Sequence, residues 1–516
     1  MTWPQVLVLD THAANHQDVF FNLWRLRWIA HALATSPRDL FNGNIFYPER
    51  NVLAYSDAVL VEGFLAAPLL WAGVPPVLVH NLLLLGAIVA SGVGIFVLAR
   101  HLTGSAGGGL VAGIVFAFAP YRFEHYMHLE LQWTVWIPWA FWALLRTMET
   151  GAVKFGLLTG LFLVLQVASC VYYGVFSFIM IAAVALLQLV ALRGRHLMRS
   201  MRAFVLGFAI AASLSGVYSL AYSAASARVG TRTYPEVKMF SARPRDYRVA
   251  TPANVLYGYP YAGLPERQLF PGILPPVLAL VGLLLVRQTI TVTAYLVGLV
   301  LAFELSLGMY GQVYPLLYEH LALFRGLRAP ARASVFCLLF LGVLAAFGIA
   351  TITAAMTPRM RRALTALMCA IVLLEYRVDP LPLTPHHNEP PPLYVLLAQL
   401  PRGVVAEFPM PEHNSLPHLE PRYMYMSTFH WMPLVNGYSG FHPPSYLHRL
   451  GRMERFPNQA TVASLRRDNV RYIIVHEDGD PEWDRLRIVE RLLLLGLTRL
   501  ADFDDGWNVA TLMELR

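Results

Sequence analysis

Residues 155–202 read FGLLTGLFLVLQVASCVYYGVFSFIMIAAVALLQLVALRGRHLMRSMR, and how they are read decides the fold. From Phe155 to Leu192 there is no charged side chain. One crossing of ~30 Å of hydrocarbon needs about 20 residues at 1.5 Å each, so this run is too long for a single helix. The SCVYYG segment around Gly174 is the natural point to fold it into a hairpin. The run then meets Arg193, Arg195, Arg199 and Arg202. Two apolar crossings followed by a cluster of arginines describe a membrane hairpin that ends in a cytoplasmic loop.

The same alternation extends in both directions. Spans are expected at Asn81 to Ala99, Gly107 to Pro120, Leu131 to Leu145, Phe155 to Ser169, Val175 to Leu192, Ala203 to Tyr222, Pro271 to Val286, Ile290 to Leu307, Ala331 to Thr353 and Ala363 to Tyr376. Every second loop is basic, carrying Arg100, then Arg146 with Lys154, the 193–202 cluster, Arg287, and finally Arg359, Arg361 and Arg362. These loops are assigned to the cytoplasm. The long polar segments fall on the other face, where the working surface is expected. The fold class is therefore a polytopic α-helical membrane protein, multi-pass in the cell membrane, with about ten spans present. Residues 1–80 form an outer-face loop with interfacial helices, and 81–378 form the transmembrane bundle. Residues 379–516 open on the Pro-rich PLPLTPHHNEPPP and continue through GVVAEFPM and VRYIIVH, as a soluble α/β domain on the outer (periplasmic or extracellular) face.

Composition agrees with lipid as part of the solvent. The 516 residues are 56% hydrophobic and 14% charged, with mean hydropathy +0.49, more apolar surface than one soluble core hides. The net charge of +8 lies in short loops beside apolar runs, which argues for the positive-inside rule and against nucleic acid. Cys170, Cys337 and Cys369 fall in or at the end of apolar runs without metal-ligand spacing, so neither a disulfide framework nor a zinc site is expected. MTWPQVLVLD is too short for a span and lacks the basic start and cleavage site of a signal peptide.

Four segments hold ionisable groups in apolar surroundings. HQDVFFNLWRLRWIAHAL places Asp18 and Asn22 four apart on one helix, with Asp18 at its start, where a helix cap and a catalytic carboxylate are both readings of the same residue. NVLAYSDAVLVEGFLAAPLLW carries Asp57 and Glu62, which read as structural hydrogen-bonding groups or as substrate contacts. The turn YRFEHYMHLELQW supplies Glu124, His125, His128 and Glu130. Such density at membrane depth is costly unless something is bound, and it leaves a divalent metal ion open as a cofactor, with His125 and His128 at i, i+3 and Glu124 as its ligands but no further ligand spacing in support. LFRGLRAPARASVF brings Arg325, Arg328 and Arg332 to a span boundary, suited to a lipid-borne phosphate or to snorkelling toward headgroups.

Taken in order, QDVFFNLWRLRWIAHAL, NIFYPERNVLAYSD, FAFAPYRFEHYMHLELQW, ERQLFPGILP, FRGLRAPAR and MSTFHWMPLVNGYSGFHPP resemble the GT-C class of membrane glycosyltransferases, and within it the bacterial YfhO-like and polyprenyl-phosphate-mannose-type proteins. The resemblance implies inverting transfer of a sugar from a polyprenyl-phosphate donor to a lipid, glycan or protein acceptor of the cell envelope, at the outer face of the bacterial inner membrane. It places the general base on Asp18 and donor-phosphate binding on Arg325, Arg328 and Arg332. Asn22, Asp57, Glu62, Glu124, His128 and Glu130 become candidate substrate contacts. It also implies a first transmembrane helix ahead of the Asp-bearing loop, of which TWP resembles the tail, with most of the helix missing here. The competing readings are a transporter or flippase for a lipid-linked molecule and a non-catalytic envelope-assembly scaffold.

Overall fold

The computed structural model describes all residues except 1, 259, 261–262, 287–288, 413–418, 479–482, 505–508 and 516. The basic loop expected at Arg287 lies outside the described residues. After a four-residue helix at Trp3–Val6, two longer helices, α1 (Gln17–Thr35) and α2 (Leu60–Trp71), precede ten that stand at the ten expected spans. The ten are α3 (Pro76–Thr103), α4 (Ala106–Phe118), α5 (Trp136–Thr150), α6 (Val153–Ser169), α7 (Val171–Ala191), α8 (Gly194–Val229), α9 (Leu274–Leu285), α10 (Ile290–Ser306), α11 (Ser334–Thr353) and α12 (Pro358–Glu375). Among the described residues, five helical stretches are long and apolar enough to cross a membrane, at Pro76–Thr103, Ala106–Glu124, Val171–Ala191, Gly194–Val229 and Pro330–Thr353. Leu186, Val217, Leu284 and Val300 stay exposed, as side chains facing lipid must. The chain is a multi-pass membrane protein with a small sheet-bearing domain near its C-terminus.

The chain divides into two compact units. One comprises Leu82–Ser219 and Thr231–Leu381 with the N-terminal residues up to Val6. Its central helix is α11, apolar on every side and buried along nearly its whole length, with α4, α9 and α10 packed around it. The expected hairpin breaks at Cys170, whose extended backbone separates α6 from α7, four residues before Gly174. The span expected to begin at Leu131 begins only at Trp136. The reason is Arg122, buried beneath the preceding turn. Its guanidinium donates to Gln132 Oε1 (3.2 Å), the Gln132 carbonyl (2.7 Å) and Thr134 Oγ1 (3.0 Å), which holds 120–132 as two short helices.

Packing of α6 on α8 depends on bare backbone. A Cβ at Gly207 would lie 1.8 Å from the carbonyl oxygen of Gly156, and one at Gly160 would lie 2.2 Å from that of Gly207. Gly156 and Gly160 are one turn apart, the small-residue spacing that lets membrane helices touch where the hydrophobic effect supplies no drive.

The second unit comprises Leu7–Asn81, Leu220–Gly230 and the chain from Pro382 onward. Segments 1–80 and 379–516, separate in the sequence reading, thus both contribute to it. Strand β1 (His12–Ala14) pairs antiparallel with β2 (Leu383–Pro385). Helices α13 (Pro392–Gln399), α14 (Glu420–Ser427), α15 (Pro444–Met453), α16 (Gln459–Arg467) and α17 (Arg485–Leu494) accompany a four-stranded sheet. Its strands are β3 (Val404–Phe408), β4 (Val470–His476), β5 (Thr498–Asp504) and β6 (Val509–Glu514). Their order is β3-β4-β6-β5, with β3 and β4 parallel and the other pairs antiparallel. Fully buried β3 and largely buried β4 form the core with Leu465, Leu492 and Met513, while β5 is mostly exposed. Helix α1 is a core element here. It buries Val19, Leu23, Trp24, Leu26 and Ile29 against α2 and α14, and turns Asn22 and Arg25 inward as well.

A Gly207→Val variant is expected to separate α6 from α8 and destabilise the purified protein by about 1–3 kcal/mol, the range for overpacking. Gly86→Val, whose added Cβ meets nothing within 4 Å, should melt like wild type in the same detergent. Equal melting temperatures for the two variants would remove the close crossing.

Candidate functional site

The candidate residues fall in both units. In the sheet-bearing unit, Asp18 occupies the first turn of α1 but does not cap it. His16 is the N-cap, its Nδ1 accepting from the Asp18 amide at 3.2 Å. The Asp18 carboxylate, 14% exposed, accepts from the Tyr438 hydroxyl at 2.8 Å through Oδ1, and its Oδ2 lies 3.6 Å from His16 Nδ1. The helix-cap reading of Asp18 is thereby replaced, because another side chain does that work. Asn22 is fully buried, accepts from the Arg25 guanidinium, and lies 3.4 Å from His80 Nε2. Arg25 also donates to the Asp57 carbonyl at 2.7 Å, so the candidates Asn22 and Asp57 meet through this buried arginine. Between Asp57 and Glu62, Val59 takes a left-handed backbone (φ +47°), costly for a β-branched residue and the kind of strain that collects at working sites. Glu62 is wholly buried in the first turn of α2.

A second buried carboxylate, Glu420, lies in the same unit. It accepts from Tyr446 Oη (2.8 Å), Asn436 Nδ2 (3.2 Å) and the Gly437 amide (3.0 Å). Burial pushes its carboxyl up to about 8 against the pull of those donors.

In the helical unit the turn between α4 and α5 supplies a different cluster. Glu124 accepts from Thr251 Oγ1, Glu130 is buried, and His128 begins the short helix Leu129–Gln132, its ring 5.5 Å from that of His125. The centre of the cluster is Glu266. It accepts from Arg332 Nη2 at 2.6 Å and Nε at 3.1 Å, lies 3.4 Å from Tyr121 Oη, and sits 3.6 Å from His125 Nε2. Burial would raise the Glu266 carboxyl, but Arg332 and then His125 outweigh it and hold the group down at about 2. Burial likewise keeps His125 neutral, at about 4. No three His, Cys, Asp or Glu among the described residues converge as a metal-binding group.

The three arginines do different things. Arg332 is spent on Glu266 and lies over Tyr172 at 4.5 Å. Arg325 donates to the carbonyls of Tyr318 and Glu319 at the end of a short helix. Arg328 rests over the Phe240 ring at 4.8 Å and forms no ion pair among the described residues. Beside this cluster an almost wholly apolar cavity of about 310 Å³ is lined by Tyr121, Tyr247, Phe270, Phe303, Cys337 and Leu341.

Sequence reasoning missed Glu266, Tyr438 and Glu420. Glu266 had a signal, being the sole acidic residue between Asp246 and Glu304 and directly ahead of an apolar span. Tyr438 and Glu420 had none, since each is defined by partners distant in the chain.

The fold is that of the GT-C membrane glycosyltransferases. Among the solved structures it resembles is that of the arabinofuranosyltransferase AftD from Mycobacteria, with a TM-score of 0.63 at 14% identity over 98% of this chain. Two structures of a point mutant of AftD give 0.63 at 15% identity and 0.61 at 16%, over 96% and 100% of the chain. The chain spans about 40% of the length of these neighbours, at 40%, 39% and 41%. No protein-family model and no curated protein matches the sequence. The likeness therefore reaches the GT-C fold and not the narrower YfhO-like group.

Glu266→Gln should strand the buried guanidinium of Arg332 and cost about 3–5 kcal/mol in thermal unfolding. The double variant Glu266→Leu/Arg332→Met should recover most of that loss. A double variant no more stable than the single one would show that the ion pair is not what Glu266 contributes.

Proposed function

We propose that the protein is an integral-membrane glycosyltransferase, transferring a sugar with inversion from a polyprenyl-phosphate-linked donor to an acceptor of the bacterial cell envelope. The observation that carries this reading is the likeness to a glycosyltransferase over nearly the whole of this chain. Asp18 is the general base. The acceptor hydroxyl gives its proton to this carboxylate as its oxygen bonds to the anomeric carbon, and the bond from that carbon to the phosphate oxygen breaks. The departing polyprenyl phosphate keeps the electron pair and needs positive charge rather than an acid. Arg328 is the arginine best suited to that task, because Arg332 is neutralised by Glu266 and Arg325 binds helix carbonyls. The apolar cavity beside the Glu266 cluster suits a lipid-borne donor. Asn22, Asp57, Glu62, Glu124, His128 and Glu130 retain the role of candidate contacts, with membrane lipids as further partners.

Transfer assays with synthetic polyprenyl-phosphate arabinofuranose and polyprenyl-phosphate hexoses, using simple alkyl glycosides as acceptors, test the reading. Asp18→Asn keeps shape and most polar contact but accepts no proton, so turnover should fall ~100-fold or more with donor binding intact. Arg328→Ala should weaken donor binding by about 2 kcal/mol, and Arg325→Ala should leave it unchanged. Wild-type turnover in Asp18→Asn would sink the assignment.

The sheet-bearing unit belongs on the outer face in this reading, opposite the basic loops. Cysteines placed at exposed Gln459 and Ala355 are expected to differ in intact cells, only the former reacting with an impermeant thiol reagent, while the three buried native cysteines stay silent. Labelling at Ala355 alone would reverse the orientation.

A further inference from the structure

The segment that brings Tyr438 to Asp18 is held on both edges. On one side the Leu434 amide donates to the Asn44 carbonyl (2.7 Å), while the Tyr47 and Phe46 amides donate to the carbonyls of Leu434 and Asn436, both at 2.9 Å. On the other, the Val435 amide donates to the Val405 carbonyl on β3 at 3.0 Å. The Asn436 side chain clasps the backbone of Glu407, accepting from its amide (2.8 Å) and donating to its carbonyl (2.9 Å). Glu420 receives the Gly437 amide, and Tyr438 itself donates its amide to the Met424 sulfur at 3.0 Å. The Tyr438 ring then stands edge-on to Phe21 of α1, centroids 5.4 Å apart. A segment tied at each step from Leu434 to Tyr438 leaves the hydroxyl little freedom of placement.

We propose that Tyr438 is a positioning residue for Asp18, and that buried Glu420, through the Gly437 amide and Asn436, is the anchor that sets where the Tyr438 hydroxyl meets the carboxylate. This rests on the reading of Asp18 as the base. A phenol donating to Oδ1 fixes the rotation of the carboxylate about its χ2, and with it the direction from which the carboxylate takes a proton. Among the groups facing Asp18 are Tyr438 from the C-terminal segment and His16 from its own helix start. Facing Glu420 are Tyr446, Asn436 and the Gly437 amide, with Glu407 beyond Asn436 and Tyr423 close enough to feel its charge.

Tyr438→Phe removes one oxygen and keeps the ring on Phe21. In the transfer assay on the full chain, kcat should fall about tenfold, the equivalent of one hydrogen bond to a charged group, with KM for the donor within about twofold. Glu420→Ala should reproduce this split between kcat and KM, and Glu420→Gln, which still accepts from Gly437, should restore wild-type kcat. Tyr472→Phe on β4 serves as the unaffected control. The infrared carboxylate band of Asp18, identified by its loss in Asp18→Asn, should shift in Tyr438→Phe at fixed pH and so read the lost hydrogen bond without turnover.

Wild-type kcat and an unmoved carboxylate band in Tyr438→Phe would overturn the positioning role, even while Asp18→Asn stays inactive and the base reading stands. Wild-type turnover in Asp18→Asn would instead remove the base reading and the positioning role with it, whatever the carboxylate band in Tyr438→Phe.

Discussion

A charge set beside hydrocarbon must arrive with its partner, and the Arg332–Glu266 pair is where this chain meets that demand most plainly. The two carboxylate-to-guanidinium contacts join the segment before α9 to the start of the buried central helix α11, and Tyr121 and His125 bring the turn after α4 to the same point. Three stretches far apart in sequence thus share one buried charge pair. Desolvation of both ions is expensive and is offset only by close geometry and further donors, so the pair tolerates little displacement of any of the three. The apolar cavity opens next to this fixed point, with Tyr121 common to both.

The sheet-bearing unit follows a different logic. Its buried polar groups include amides, phenols and acids linked one to the next, with the buried arginines Arg25 and Arg449 among them. Asn436 joins Glu407 to Glu420, while Tyr394 and His476 both reach Glu407 Oε2, at 2.8 and 2.7 Å. A network satisfied at most points specifies one arrangement of loop and strand more sharply than apolar packing alone. That specificity is what a tyrosine needs if its hydroxyl is to meet a carboxylate more than four hundred positions earlier in the chain.

Much of the fold was legible because hydropathy reports directly on lipid burial. All ten spans have a helix, and the break at SCVYYG was readable as a span-length argument. What escaped was set by single polar residues. Arg122 delays the start of α5 by demanding acceptors from Gln132 and Thr134, and no periodicity announces such a demand. Among the candidate residues, Asp18 was identifiable as an acid opening an aromatic helix, but its partner was not. The arginines of FRGLRAPAR read as equivalent because spacing treats like residues alike. Only their distances to Glu266, Phe240 and the carbonyls of Tyr318 and Glu319 separate them.

The crossing of α6 and α8 has a mechanical side. Where Gly207 meets the carbonyl of Gly156, backbone lies on backbone and there are no side chains to rotate. Most interfaces soften by exchanging rotamers; at this contact there are none to exchange, so here the two helices move together or part. The pair behaves as a stiff plate. Give between helices, such as a lipid chain sliding inward would require, falls instead to interfaces filled by long side chains. The cavity wall of Phe270, Phe303 and Leu341 is such a place, where rings can swing aside without breaking a backbone contact.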